Sequence, residues 1–172
     1  MKTFRFMAGI VLMSISAVVF AQSDGPKSFD NLKALAGSWE GKVTTVPPQP
    51  DVQDKAVQVS LRVTSMGNAL MHEVRIPGQQ DDPITMLYLD GDRLMLTHYC
   101  DAGNRPRMEA KTSTDGKTVD FGFLDVAGST AHGHMHHVMF SIVDADHHSE
   151  EWTYMMPTGQ PVQAHFELQR TK

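Results

Sequence analysis

From residue 38 onward, apolar and polar residues alternate in short segments that are separated by turn-forming residues. Alternation with a period of two is typical of β-strands that bury one face. The predicted strands are 38–46, 56–65, 70–76, 84–90, 93–99, 107–113, 118–123, 134–143, 148–155 and 163–170. The gaps are too short for crossover helices, which excludes a parallel α/β fold. The pattern therefore predicts an all-β protein, an antiparallel up-and-down β-barrel of about ten strands or a sandwich.

A short helix is predicted directly before the first strand, over residues 28–36. Phe29, Leu32 and Leu35 fall at helical spacing, and Gly37 ends the pattern. A helix in this place favours the barrel over the sandwich, because it would close one end of a barrel. A barrel of 8 to 10 strands is also wide enough to hold a small ligand, whereas the core of a sandwich is filled.

The first 21 residues have the layout of a secretory signal peptide. Lys2 and Arg5 precede an uncharged, mostly apolar run, and a small residue, Ala21, stands at the expected cleavage site. We therefore expect an exported protein, periplasmic or secreted, whose residues 22–172 form one domain. No cysteine follows the apolar run, so no lipid anchor is expected. The lone Cys100 leaves the fold without an intramolecular disulfide.

The charge of the chain argues against a nucleic-acid partner. The net charge is −5, and removal of the two basic residues of the predicted signal makes it −7. Phosphate contacts by basic residues supply most of the affinity of nucleic-acid-binding proteins. No polybasic segment or amphipathic helix indicates a membrane anchor either. The expected partner is a small molecule, and the pattern leaves the oligomeric state open.

Residues 35–39, Leu-Ala-Gly-Ser-Trp, resemble the start of the first strand in the calycin superfamily, which includes lipocalins, fatty-acid-binding proteins and nitrobindin-like barrels. The resemblance, which extends to uncharacterised exported bacterial members, implies that Trp39 packs across the barrel base against the preceding helix. Residues 159–168 look like the closing hairpin of nitrobindin-like barrels, in which a histidine ligates haem iron. His165 is the matching position. Its alternation with Phe166 and Leu168, however, favours the solvated face of the strand.

The leading functional prediction is a non-enzymatic barrel that binds a small apolar or amphipathic ligand. Inward-facing aromatic and neighbouring polar side chains would form the wall or base of its cavity. The predicted ligand-binding residues are Trp39, His98, Cys100, Phe121, Phe123, Phe140, Trp152 and Tyr154.

Two alternatives invoke other chemistry. His134 and His136 share a strand face and lie roughly 6.5–7 Å apart, within reach of one metal ion. A metal- or haem-binding barrel using this pair or His165 is the first alternative. The second is an enzyme that uses His98 and Cys100, which share a face. The adjacent acidic residues Glu150 and Glu151 are predicted to lie at a solvated hairpin end.

Overall fold

The computed structural model describes residues 24–112 and 116–171, so the predicted signal peptide lies outside the described residues. One helix, α1 (Gly25–Lys33), precedes ten strands. The strands are β1 (Gly37–Val46), β2 (Ala56–Thr64), β3 (Ala69–Arg75), β4 (Ile84–Asp90), β5 (Arg93–Tyr99), β6 (Arg105–Thr112), β7 (Thr118–Ala127), β8 (His134–Ile142), β9 (His147–Met155) and β10 (Pro161–Arg170).

The ten strands form a closed antiparallel barrel in which each strand pairs with its sequence neighbours. The pairing of β1 with β10 closes the ring, with a register that runs from Trp39 opposite Arg170 to Val46 opposite Gln163. Closure leaves no free sheet edge, so the backbone hydrogen bonds of the strands are satisfied around the ring. The barrel predicted from the alternating pattern is confirmed, and the sandwich is not.

Two β-bulges interrupt the regular pairing. One lies between Arg107 and Met108 where β6 pairs with β7, and the other lies between Met135 and His137 where β8 pairs with β9. An extra residue in one strand bends that strand and changes the direction of the side chains beside it. The regular alternation assumed from the sequence therefore fails near the start of β8.

The helix α1 closes the end of the barrel that carries the β4–β5 and β6–β7 turns. The backbone of Gly25 passes so close to the carbonyl of Asp92 that a Cβ atom there would clash with its oxygen. Asn31 donates a hydrogen bond of 2.8 Å to the carbonyl of Gly116. The helix begins three residues earlier than predicted, since Pro26 is well suited to a first helical turn. Within the described residues, no helix has the length and hydropathy needed to span a membrane.

The expected contact between Trp39 and the preceding segment is present. The indole Nε1 of Trp39 donates a hydrogen bond of 2.8 Å to the carbonyl of Leu35. The guanidinium of Arg170, from the last strand, lies over the Trp39 ring at 4.2 Å and donates to the carbonyl of Ala36 at 2.8 Å. Trp39 thus joins the first strand, the last strand and the helix segment at the closed end.

Candidate functional site

A buried carboxylate lies inside the barrel. The side chain of Glu150, on β9, is fully buried. Its oxygens lie 3.0 and 3.1 Å from Nε2 of His72, 3.0 Å from Nε2 of His148 and 2.8 Å from the indole Nε1 of Trp152. We call these four residues the carboxylate cluster. Because β3, which carries His72, is not a neighbour of β9 in the ring, the cluster connects distant parts of the wall.

The surroundings of Glu150 favour its ionised form. Burial by itself would raise the pKa of this carboxyl, but the facing imidazoles of His72 and His148 and their hydrogen bonds hold the pKa well below its usual range. Nδ1 of each imidazole has no hydrogen-bond partner among the described residues. A proton on Nε2 of each ring therefore provides the donor that the carboxylate needs.

His98, on β5, lies beside the carboxylate cluster. Its Nδ1 shares a hydrogen bond of 2.8 Å with Oγ1 of Thr85, and its ring lies 5.6 Å from that of Trp152. Burial, assisted by the nearby His72, lowers the pKa of His98 to about 4. The imidazole is therefore neutral at neutral pH.

The predicted aromatic wall residues fill the barrel. Trp39, Phe121, Phe140 and Trp152 are buried, and the Phe140 ring contacts those of Phe121 and Trp152 at centroid distances of 6.1 and 6.2 Å. These side chains form a packed shell around the carboxylate cluster. These buried rings contact one another, and their predicted role in ligand binding stays a prediction.

Two other predicted wall residues lie outside this shell. Phe123 is 37% exposed. Tyr154 donates a hydrogen bond of 2.6 Å from its hydroxyl to the carbonyl of His132. Tyr154 lies near the end of β9, whereas Phe123 lies mid-strand in β7 and is partly exposed, so neither belongs to the buried core.

A cleft of about 620 Å³ lies at the end of the barrel opposite α1, and we call it the mouth cleft. Its apolar lining includes Val52, Val74 and Ile76, which also pack against the core. Val74 follows His72 on the same face of β3, so the floor of the cleft continues the interior of the barrel.

Charged side chains surround the apolar floor of the mouth cleft. The loops between β1 and β2, β3 and β4, and β5 and β6 contribute three carboxylates and one ammonium to its lining. These charges belong to Asp51, Lys55, Asp81 and Asp101. The mouth cleft therefore combines an apolar floor with a rim of net negative charge.

The predicted metal ligands do not form one group, because His165 lies away from His134 and His136. His134 and His136 are partly buried neighbours, with Nε2 of His134 3.2 Å from Nδ1 of His136. His165 lies on the outer face, within 4 Å of Glu151 and Glu167. The haem role implied by resemblance requires an imidazole inside the barrel, so the position of His165 does not support it. In residues 24–112 and 116–171, no group of three or more His, Cys, Asp or Glu side chains is arranged to hold a metal ion.

The pair His98 and Cys100 does not form an activated nucleophile. The Cys100 thiol donates to Oδ1 of Asp101 at 3.4 Å, and burial raises its pKa to about 11. A nucleophilic cysteine needs the opposite shift. Arg107, one of the cations near it in the sequence, is paired with Asp125 instead.

Known structures share the fold. No protein-family model and no curated protein matches the sequence. Rv2717c of M. tuberculosis superposes with a TM-score of 0.57 at 16% identity, over 84% of this chain and 98% of Rv2717c. A Nostoc punctiforme protein of unknown function from the DUF3598 family superposes with a TM-score of 0.55 at 10% identity. That match covers 81% of this chain and 49% of the Nostoc protein, so the chain spans about half of its length. At these identities the similarity establishes the barrel fold and is compatible with a calycin-like barrel.

Sequence reasoning missed the carboxylate cluster. Glu150 was predicted to be solvated, yet it is fully buried, and this prediction is wrong. The signal that was available is the alternation along β9: His148 and Glu150 share a face with Trp152, which was predicted to face inward. His72 likewise alternates with Leu70 and Val74, but alternation within β3 does not reveal that His72 meets Glu150 of β9 across the barrel.

Proposed function

We propose that the protein is an exported, non-enzymatic binding protein that takes a small amphipathic molecule at the mouth cleft. The observation that carries the proposal is the combination of an apolar floor with a charged rim in one concave site. Such a site buries the apolar part of a ligand and orients its polar group. The packed interior below keeps the floor rigid, since close-packed cores resist deformation.

The ligand class follows from the depth and lining of the site. Phe121, Phe140 and Trp152 are buried in the barrel, and a ligand in the cleft would rest on Val74 and Ile76. An apolar tail of modest length matches this floor. The polar group of the ligand would then lie among the charged rim side chains, where it stays hydrated.

Ligand binding at the mouth cleft is tested by a substitution that fills the cleft with a side chain. Val74→Trp places a large ring on the floor, and Val63→Trp, at a 38% exposed site of β2, is the matched control. Binding of decyltrimethylammonium is measured by titration calorimetry after circular dichroism has shown that both variants fold. We expect the Val74 variant to lose binding and the control to keep it. Equal binding by both variants, or no binding by the wild type, contradicts the proposal.

Export is tested separately. Expression of the full chain in a bacterial host followed by N-terminal sequencing of the periplasmic fraction should give a mature chain that starts at Gln22. An unprocessed chain that stays in the cytoplasm would contradict this part of the proposal.

A further inference from the structure

We propose that His134 and His136 form a two-imidazole site for a divalent transition-metal ion, with Cu²⁺ bound most tightly. The two rings, here called the imidazole pair, present Nε2 of His134 and Nδ1 of His136 toward each other at 3.2 Å. Two ligands on one ion, each bonded at about 2.0–2.1 Å, are separated by a similar distance in tetrahedral geometry. The pair is therefore spaced for chelation by the same ion.

The β-bulge in β8 produces this spacing. The regular pairing of β8 with β9 is interrupted between Met135 and His137, so His136 is the residue without a partner in that register. On a regular strand, the Cα atoms of residues i and i+2 lie roughly 6.5–7 Å apart. The bulge changes the direction of the His136 side chain, and its ring nitrogen comes within hydrogen-bonding distance of that of His134.

Phe123 packs against both rings of the imidazole pair. Its ring is stacked on His136, with a centroid distance of 4.7 Å and an interplanar angle of 19°, and lies 5.0 Å from the His134 ring. A ligand whose ring is held by its neighbours loses less conformational freedom when the metal binds. The two rings are thus held close together before the ion arrives.

Each imidazole of the pair can offer an unprotonated nitrogen to a metal ion. In the hydrogen-bonded pair one proton lies between the two facing nitrogens. Binding moves that proton to the outer nitrogen of the same ring, so both facing lone pairs bind the ion while both imidazoles remain neutral.

The neighbouring histidine in the sequence is not part of the pair. Nε2 of His137 lies 2.7 Å from Oδ1 of Asp120, so this imidazole is already engaged. Since no third protein ligand is arranged around the pair within the described residues, water fills the other coordination positions. Two imidazoles with water suit Cu²⁺ best among the divalent first-row ions, followed by Ni²⁺ and Zn²⁺.

The test is a copper titration of the full mature chain without a polyhistidine tag. The affinity is measured by calorimetry, and electron paramagnetic resonance of the Cu²⁺ complex counts the coordinated nitrogens. We expect one site with two imidazole nitrogens. His134→Gln and His136→Gln should each lower the affinity by about tenfold or more. His137→Gln is the matched control and should change it less than about twofold.

Several outcomes would overturn the inference. They are unchanged affinity in both single variants, loss of binding only in the His137 control, and a spectrum without two nitrogen ligands. If a variant does not fold, paramagnetic broadening of the wild-type histidine resonances decides the question, because Cu²⁺ must broaden those of His134 and His136 first. The test is independent of the proposed ligand site, since the mouth cleft lining comes from other strands and loops.

Discussion

Nε2 of His72 on β3 lies 3.0 Å from Oε2 of Glu150 on β9, across the interior of the barrel. Both side chains are completely buried. With the N–H groups of His148 and Trp152, the carboxylate has three donors around it. The centre of this barrel therefore holds a buried polar cluster. The ligand site that we propose is the mouth cleft rather than this buried centre.

Replacing the carboxylate should destabilise the protein strongly. Glu150→Gln keeps the shape but removes the charge, and it turns one acceptor into an amide donor that faces N–H groups. We expect the free energy of unfolding to fall by about 2 kcal/mol or more, because buried donors lose their acceptor. Urea denaturation followed by tryptophan fluorescence measures this change.

The control for this variant is the next residue. Glu151→Gln changes an exposed carboxylate that points outward from the same strand, and it should alter the free energy of unfolding by less than about 0.5 kcal/mol. If the two variants are equally stable, the carboxylate cluster does not hold the barrel together.

The fold could be predicted from the sequence because strand alternation and turn residues are local signals. The carboxylate cluster could not be predicted in full, because its partner His72 comes from a strand whose position depends on ring closure. The geometry of His134 and His136 was missed for another reason. A bulge is set by the pairing of two strands, and alternation within one strand does not reveal it.

His98 makes stability depend on pH. Its pKa is lowered to about 4 in the folded state, so the unfolded chain binds the proton more readily between pH 4 and 6.5. The contribution of the neutral His98 to the free energy of unfolding is fully present above about pH 6.5 and is lost as the pH falls toward 4. Between pH 7.5 and 5 the loss from this group is about 2 kcal/mol.

The measurement compares urea unfolding of the wild type and His98→Gln at these two pH values. The variant should show a smaller fall in stability, because glutamine does not titrate. Glu150 does not contribute to this difference between pH 7.5 and 5. Because its pKa is lowered in the folded state, it stabilises the fold at these pH values, and that stabilisation is lost only as the pH falls below its unfolded pKa near 4.3. An identical pH dependence in both proteins would exclude His98 as its source.

Arg170 should stabilise the closed end through its planar guanidinium. It lies over Trp39 and donates to the carbonyls of Ala36 and Ala145 at 2.8 and 2.9 Å. Arg170→Lys retains the charge but not the fork of donors, so we expect a loss of about 1–2 kcal/mol. That corresponds to a fall in Tm of about 3–6 °C for a domain of this size. Arg62→Lys, at an exposed site on β2, should leave Tm nearly unchanged, and an equal fall in both would contradict the assignment.

The rim of the mouth cleft should select cationic headgroups. Asp51, Asp81 and Asp101 outnumber Lys55 in its lining. Decyltrimethylammonium should therefore bind more tightly than decyl sulfate, and added salt should reduce the difference because the rim is open to solvent. Asp101→Asn should weaken binding of the cation, whereas Asp24→Asn at the other end of the barrel should not. Tighter binding of the anion would contradict the charge argument without affecting the apolar floor.

The thiol of Cys100 should react slowly with alkylating agents. Its pKa of about 11 leaves little thiolate at pH 8, and the thiolate is the reactive form. We expect carboxamidomethylation by iodoacetamide to be slower than that of free cysteine by on the order of 100-fold. In urea the rate should rise to the value of the free amino acid, which shows that burial is the cause. A rate at pH 8 equal to that of free cysteine in the folded protein would instead indicate an activated thiol and would reopen the enzymatic alternative based on His98 and Cys100.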